Sequence, residues 1–136
     1  MSIFKFCAVC DDVRVEFGGN KSVIIGFFGM VPYVDVLVSN PSQPIEKLTF
    51  LFMSGTPIIA GHYRIQVSVK DPAGRELANQ SVPAIDQDMI AGPFNAILAV
   101  QSLRLTGIGK YHVTAIVNDH EDFAGDFVVG LLPPVQ

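Results

Sequence analysis

Gly109-Lys110-Tyr111-His112-Val113-Thr114-Ala115-Ile116-Val117-Asn118-Asp119 is the stretch whose reading decides the fold. Apolar residues recur at every second position after Tyr111, the period of a strand with one buried face, and Asn118-Asp119 closes it with residues suited to a turn. An earlier stretch, Gly61-His62-Tyr63-Arg64-Ile65-Gln66-Val67-Ser68-Val69-Lys70-Asp71, aligns with it without a gap. Both read Gly-x-Tyr-x-apolar-x-apolar-x-Val-x-Asp. Four identities in eleven positions are too few to argue duplication, because any two strands entered by a similar corner converge on this pattern. Two strands of this kind predict an antiparallel β-sandwich.

The flanking sequence extends the pattern. Val13 to Phe17 alternates apolar with charged residues, Gly18-Gly19-Asn20-Lys21 supplies a turn, and Ser22 to Phe28 resumes, which predicts a hairpin. Ile3 to Val9 is a further strand or the first half of a bent one. Pro32 cannot donate to a ladder, so Met30 to Val38 begins a strand or runs along an edge. Ser39 to Pro44 is a loop, and Lys47 to Met53 is a strand apolar enough to be buried on both faces or to cover a partner.

Asp71-Pro72-Ala73-Gly74 is a turn, and Arg75 to Val82 returns as the partner of the first Gly-x-Tyr strand. Pro83 to Pro93 reads as a loop carrying Asp86 and Asp88. Phe94 to Gln101 suits strand or helix, and Leu103 to Leu105 alternates as strand. Asn118 to Asp122 reads as a hairpin loop, and Phe123 to Leu131 as the last strand before Pro133-Pro134. The sum is eight or nine strands with little or no helix, in one domain spanning residues 1–136, immunoglobulin-like or C2-like in outline.

Composition bounds the function. A chain of 136 residues that is 49% hydrophobic and 16% charged has apolar surface to spare for a core, and its low charge suggests surface covered by a partner or a second copy. Net charge is −4, and lysines and arginines come singly, so no stripe exists to track nucleic-acid phosphates or an anionic membrane. The N-terminus lacks the basic lead of a secretory signal. The longest apolar region, Val23 to Val38, is interrupted by Gly26, Gly29, Pro32 and Asp35 and falls short of the roughly 20 residues of a spanning helix. It reads as buried strands. The expectation is a cytoplasmic protein with no membrane, nucleic-acid or cofactor partner.

Chemistry is sparse. Cys7 and Cys10 form a C-x-x-C, but three residues apart on a strand place the sulfurs on opposite faces. His62 and His112 could complete a zinc set only from the face opposite Tyr63 and Tyr111, so the cysteines read as buried or half-buried thiols. Asp71, Asp86, Asp88, Asp119, Glu121 and Asp122 all fall in expected turns. Of these, Asp86, Asp88, Asp119, Glu121 and Asp122 are the candidate calcium ligands, although turn carboxylates also serve simply to bond nearby amides. No nucleophile elbow or phosphate loop is present, and His120 beside Asp119 and Glu121 is a loop histidine.

Tyr111 matches the tyrosine corner of immunoglobulin-like domains, in which the hydroxyl bonds to backbone upstream of the strand. The supporting disulfide cysteines and core Trp of that family are absent. Cys10-Asp11-Asp12-Val13-Arg14-Val15, then Lys21-Ser22-Val23-Ile24-Ile25-Gly26-Phe27-Phe28, then the late Gly-x-Tyr, resemble a family of small bacterial β-sandwich proteins of unknown function. The resemblance implies a bacterial, cytoplasmic sandwich domain and brings no catalytic residues. The functional expectation is therefore a non-enzymatic protein-interaction or assembly domain, self-associating or bound to a protein partner. The alternative is a sandwich that binds calcium or a small ligand through its acidic loops.

Overall fold

Strands form wherever the period-two pattern runs. The computed structural model describes residues 2–15, 22–77 and 84–133. Its elements are β1 (Phe6–Val15), β2 (Ser22–Met30), β3 (Tyr33–Val38), β4 (Ile45–Met53), β5 (Gly61–Lys70), β6 (Ile85–Met89), β7 (Asn95–Leu103), β8 (Gly109–Val117) and β9 (His120–Leu131). No helix occurs among the described residues. The ambiguous segment after Phe94 is strand: Ala96, Leu98 and Val100 alternate inward against β4.

All nine strands join one sheet in the order β6-β5-β8-β9-β3-β2-β1-β4-β7. The link between β2 and β3 is slight, only Gly29 opposite Val34 and Met30 opposite Tyr33, across the corner at Val31-Pro32. There the sheet turns so that both halves line one core. Phe4, Val9, Phe50, Phe52 and Leu98 meet Val36, Ile65, Tyr111, Val113 and Phe127 in that core. Ring pairs such as Phe50 with Phe127, centroids 5.7 Å apart, join the halves. Ile58, just before β5, bonds backbone to backbone with Gly92, just before β7, drawing the far ends of the sheet together. The result is nearly closed and barrel-like.

The expected all-β class is present, with two changes. The sheet is mixed, because β3 runs parallel to β9, from Asp35 opposite Val128 to Val38 opposite Leu131. It is also continuous from edge to edge. Neither property is visible locally in sequence, since an alternating strand reads the same in either pairing direction.

Of the two readings of Ile3 to Val9, the first half of a bent strand is the one present: β1 runs from Phe6 through Val15, with its register against β2 shifting between Val9 and Cys10, and Ile3–Lys5 precede it. Three local expectations change. Within the expected loop Pro83–Pro93, Ile85–Met89 is strand β6, pairing with β5 from Gly61 opposite Met89 to Ile65 opposite Ile85. Its carboxylates suggested a loop because Asp is depleted in strands, but on an edge they project into water. The β8–β9 loop is only Asn118-Asp119, both with left-handed φ (49° and 67°), as a two-residue primed turn requires. Glu121 and Asp122 consequently lie in β9. The third change concerns Val23 to Val38, expected to be buried: Val23, Ile24, Ile25 and Phe27 are exposed.

Arg75–Leu77 returns along β5 as expected, with Lys70 bridged to Glu76 and the Leu77 amide donating to the Val69 carbonyl. The remainder of that return, the Gly18–Lys21 turn with Glu16-Phe17, and Pro134 lie outside the described residues.

Candidate functional site

Both Gly-x-Tyr units build a corner. The Tyr111 hydroxyl donates to the Gly107 carbonyl (2.7 Å) and accepts from the Thr106 amide (3.0 Å). The Tyr63 hydroxyl donates to the Ile59 carbonyl (2.7 Å), again four residues upstream. The glycines are not equivalent. Gly109 has φ 137° and a Cβ there would sit 3.0 Å from Pro72, so the second corner needs glycine, whereas Gly61 has neither constraint. Because β5 and β8 are antiparallel, the two corners sit at opposite ends of the pair.

The Tyr63 corner lies at an acidic end of the sheet. Asn118 in the β8–β9 turn accepts from the Arg64 amide (2.8 Å), and its own amide donates to the Arg64 carbonyl. This ties the turn to the start of β5, where β6 also ends. The ladder sets His62 opposite Asp88 and Arg64 opposite Asp86. His62 consequently bonds Asp88 through Nδ1 (2.8 Å) and Asp86 through Nε2. The carboxylates of Asp88, first, and Asp86 hold the His62 imidazole pKa above its ordinary value.

Beside the turn lies a shallow open hollow of about 450 Å³, bounded by Ser2, Ile3, Asn118, His120, Glu121 and Asp122. Asp122 is committed there to structure. Its two carboxylate oxygens accept from the amides of Ile3 (2.7 Å) and Phe4 (2.8 Å), clipping the N-terminal segment to β9. The predicted calcium residues are thus brought to one end but not to one point. Asp86 and Asp88 flank His62, Asp119 is exposed in the turn, Glu121 is exposed on β9, and Asp122 faces the N-terminal segment. Among the described residues no group of three or more His, Cys, Asp or Glu is arranged to hold a metal ion.

Cys7 and Cys10 are free and buried, and they diverge as their spacing predicts. Cys7 belongs to the main core, and Cys10 to a second apolar cluster with Ala8, Val13 and Leu51 on the other side of β1 and β4. Burial raises both thiol pKa values, most strongly that of Cys7. Neither is poised as a thiolate. Outward on β8, His112 bonds Asp126 of β9 through Nδ1.

Asp71 is a buried carboxylate at the opposite end. It accepts from the amides of Ala73 (3.0 Å) and Arg75 (2.8 Å), the Arg75 guanidinium (3.0 Å) and the Thr106 hydroxyl (2.8 Å). Burial pushes its pKa up, but the Arg75 amide, the Thr106 hydroxyl and the Arg75 charge outweigh that and hold it below the ordinary value. It fixes the turn after β5 to the loop before β8, which is support for the Tyr111 corner.

The feature that sequence reading missed is an apolar arm. β1 leaves β4 after Cys10 opposite Thr49, and β2 meets β3 only at Gly29 and Met30. Asp11–Val15 and Ser22–Ile25 therefore run on as a two-stranded ribbon past the β1–β4 ladder, held to β4 on the β1 side by the Thr49 hydroxyl on the Asp11 carbonyl, by Lys47 on Asp12 and by the apolar cluster that Val13 shares with Leu51. The signal was in the sequence: three consecutive β-branched residues, Val23-Ile24-Ile25, must place apolar side chains on both faces of any strand they form. No protein-family model matches the chain, and a search of curated proteins returns no match.

Proposed function

We propose that this chain is a non-enzymatic protein-interaction or assembly domain, which works by offering apolar strand surface to a protein partner or another copy. The β1–β2 arm carries the reading. A two-stranded ribbon on its own is marginal in water, and one with apolar side chains exposed on both faces is stabilised by being covered. An immunoglobulin-like sandwich is the finer description of the fold we favour, supported by the two tyrosine corners and by the core shared between two halves of the sheet. The polar groups elsewhere are consistent with this reading: Asp71, Asp122 and Asn118 are each engaged with backbone, and His62 and His112 with carboxylates.

Sizing with light scattering, combined with binding of an apolar fluorescent dye, tests the reading. An assembly domain either self-associates or, as a monomer, binds the dye in the folded state. A folded monomer that binds no dye refutes it.

A further inference from the structure

Within the assembly reading, on which this inference rests, we propose that the partner is a second copy, docked arm to arm through the free edge of β2. Among the described residues, β2 from Ser22 to Phe28 pairs only with β1, so its other edge presents unpaired backbone N–H and C=O groups. Such an edge is a template for another strand, and natural proteins usually blunt it with charge or proline. None interrupts it: Ser22 to Phe28 contains no charged residue and no proline. An antiparallel pairing of β2 with β2 of a second copy is its own mirror under a two-fold axis, so one surface supplies both sides of the contact. The two ribbons then become a four-stranded sheet, which satisfies the edge and sets the apolar faces side by side.

Charge fits a second copy. Among the described residues of the arm the charged side chains, Asp11, Asp12 and Arg14, all lie on β1, away from the free edge, and Asp12 pairs within the chain with Lys47 (2.7 Å) and Arg14 (3.5 Å). No charged side chain between Ser22 and Phe28 therefore opposes the approach of a second β2. Val23, Ile24, Ile25 and Phe27 are 42%, 41%, 37% and 55% exposed, and edge pairing sets them beside apolar side chains of the other copy. Only part of that exposure is removed, so the contact is a reversible dimer, dependent on concentration.

The test compares the unmodified chain with Val23→Lys/Ile25→Lys and with the control Ile90→Lys, whose residue is also exposed but lies outside the arm. Sizing with light scattering across a dilution series is read together with apolar-dye binding, and circular dichroism checks folding. The expected result is a dimer for the unmodified chain and the control, with a dissociation constant raised at least about a hundred-fold in the arm variant. Dye binding to the unmodified chain also rises on dilution as the arms uncover, a readout that stands even if the variant fails to fold. A dimer equally stable in the arm variant overturns the arm contact and leaves the assembly reading in place. A dye-binding monomer overturns the second copy as partner while leaving that reading in place. A monomer that binds no dye overturns both.

Discussion

The three tyrosines make an internal series for the corner argument, since the chain has no others. Tyr111→Phe keeps the buried ring and its stacking on Phe127, centroids 5.7 Å apart, and removes only the hydroxyl. Two hydrogen bonds go with it, one to Gly107 and one from Thr106. At about 0.5–1.5 kcal/mol for each bond, and with Thr106 exposed enough for water to replace part of the loss, the expected destabilisation is about 1.5 kcal/mol. Tyr63→Phe removes one bond, to the exposed Ile59, and is expected to lose about 0.7 kcal/mol. Tyr33, 86% exposed and without such a bond, is the control and should change nothing measurable. The corners lie at opposite ends of the β5–β8 pair, so the double variant should add to within about 0.5 kcal/mol. Urea unfolding followed by far-ultraviolet circular dichroism reads all four proteins, and the Tyr111 variant should also melt about 4–8 °C lower. Equal losses for Tyr33 and Tyr111, or a double variant far from additive, would refute the assignment of separate corners.

Three further predictions follow from the charged and sulfur groups. The depressed Asp71 pKa stabilises the fold above the unfolded-state pKa of about 3.9, and that contribution is lost as pH falls through the lower folded value. Asp71→Asn should therefore be less stable than the unmodified chain at neutral pH, with the gap narrowing below about pH 4 in denaturant titrations; a constant gap contradicts the linkage. The raised His62 pKa works in the opposite sense, stabilising the β5–β6 pair fully below about pH 6.5 and less as pH rises through the folded value. Nuclear magnetic resonance titration should find His62 above about 6.5, falling further with Asp88→Asn than with Asp86→Asn, and an unchanged midpoint in both variants would count against the clasp. Cys7 and Cys10 should resist a thiol reagent in the folded protein and react together on unfolding. Rapid labelling of the native chain would contradict their burial.

Local alternation was enough to place most strands, because Tyr111, Val113, Ala115 and Val117 must share a face wherever the chain is extended. It was also enough to separate the two cysteines. Long-range pairing was not legible: nothing in Tyr33–Val38 announces that its partner is the last strand, or that the two run parallel. The carboxylates misled for a physical reason. Asp86, Asp88 and Asp122 look like loop residues by propensity, yet an edge strand solvates two of them and the Ile3 and Phe4 amides satisfy the third. The arm went unread because an apolar run reads as buried, and burial depends on where β1 parts from β4, which only the assembled sheet defines.

Concentration-dependent hydrogen exchange of β2 bears most directly on the assembly account. In a concentrated solution the edge-facing amides between Val23 and Phe27 should be protected, and dilution should release them while Leu48 to Phe52 in the centre of the sheet stay protected. Fast exchange along β2 at every concentration, with β4 protected throughout, would contradict the pairing of one arm with another.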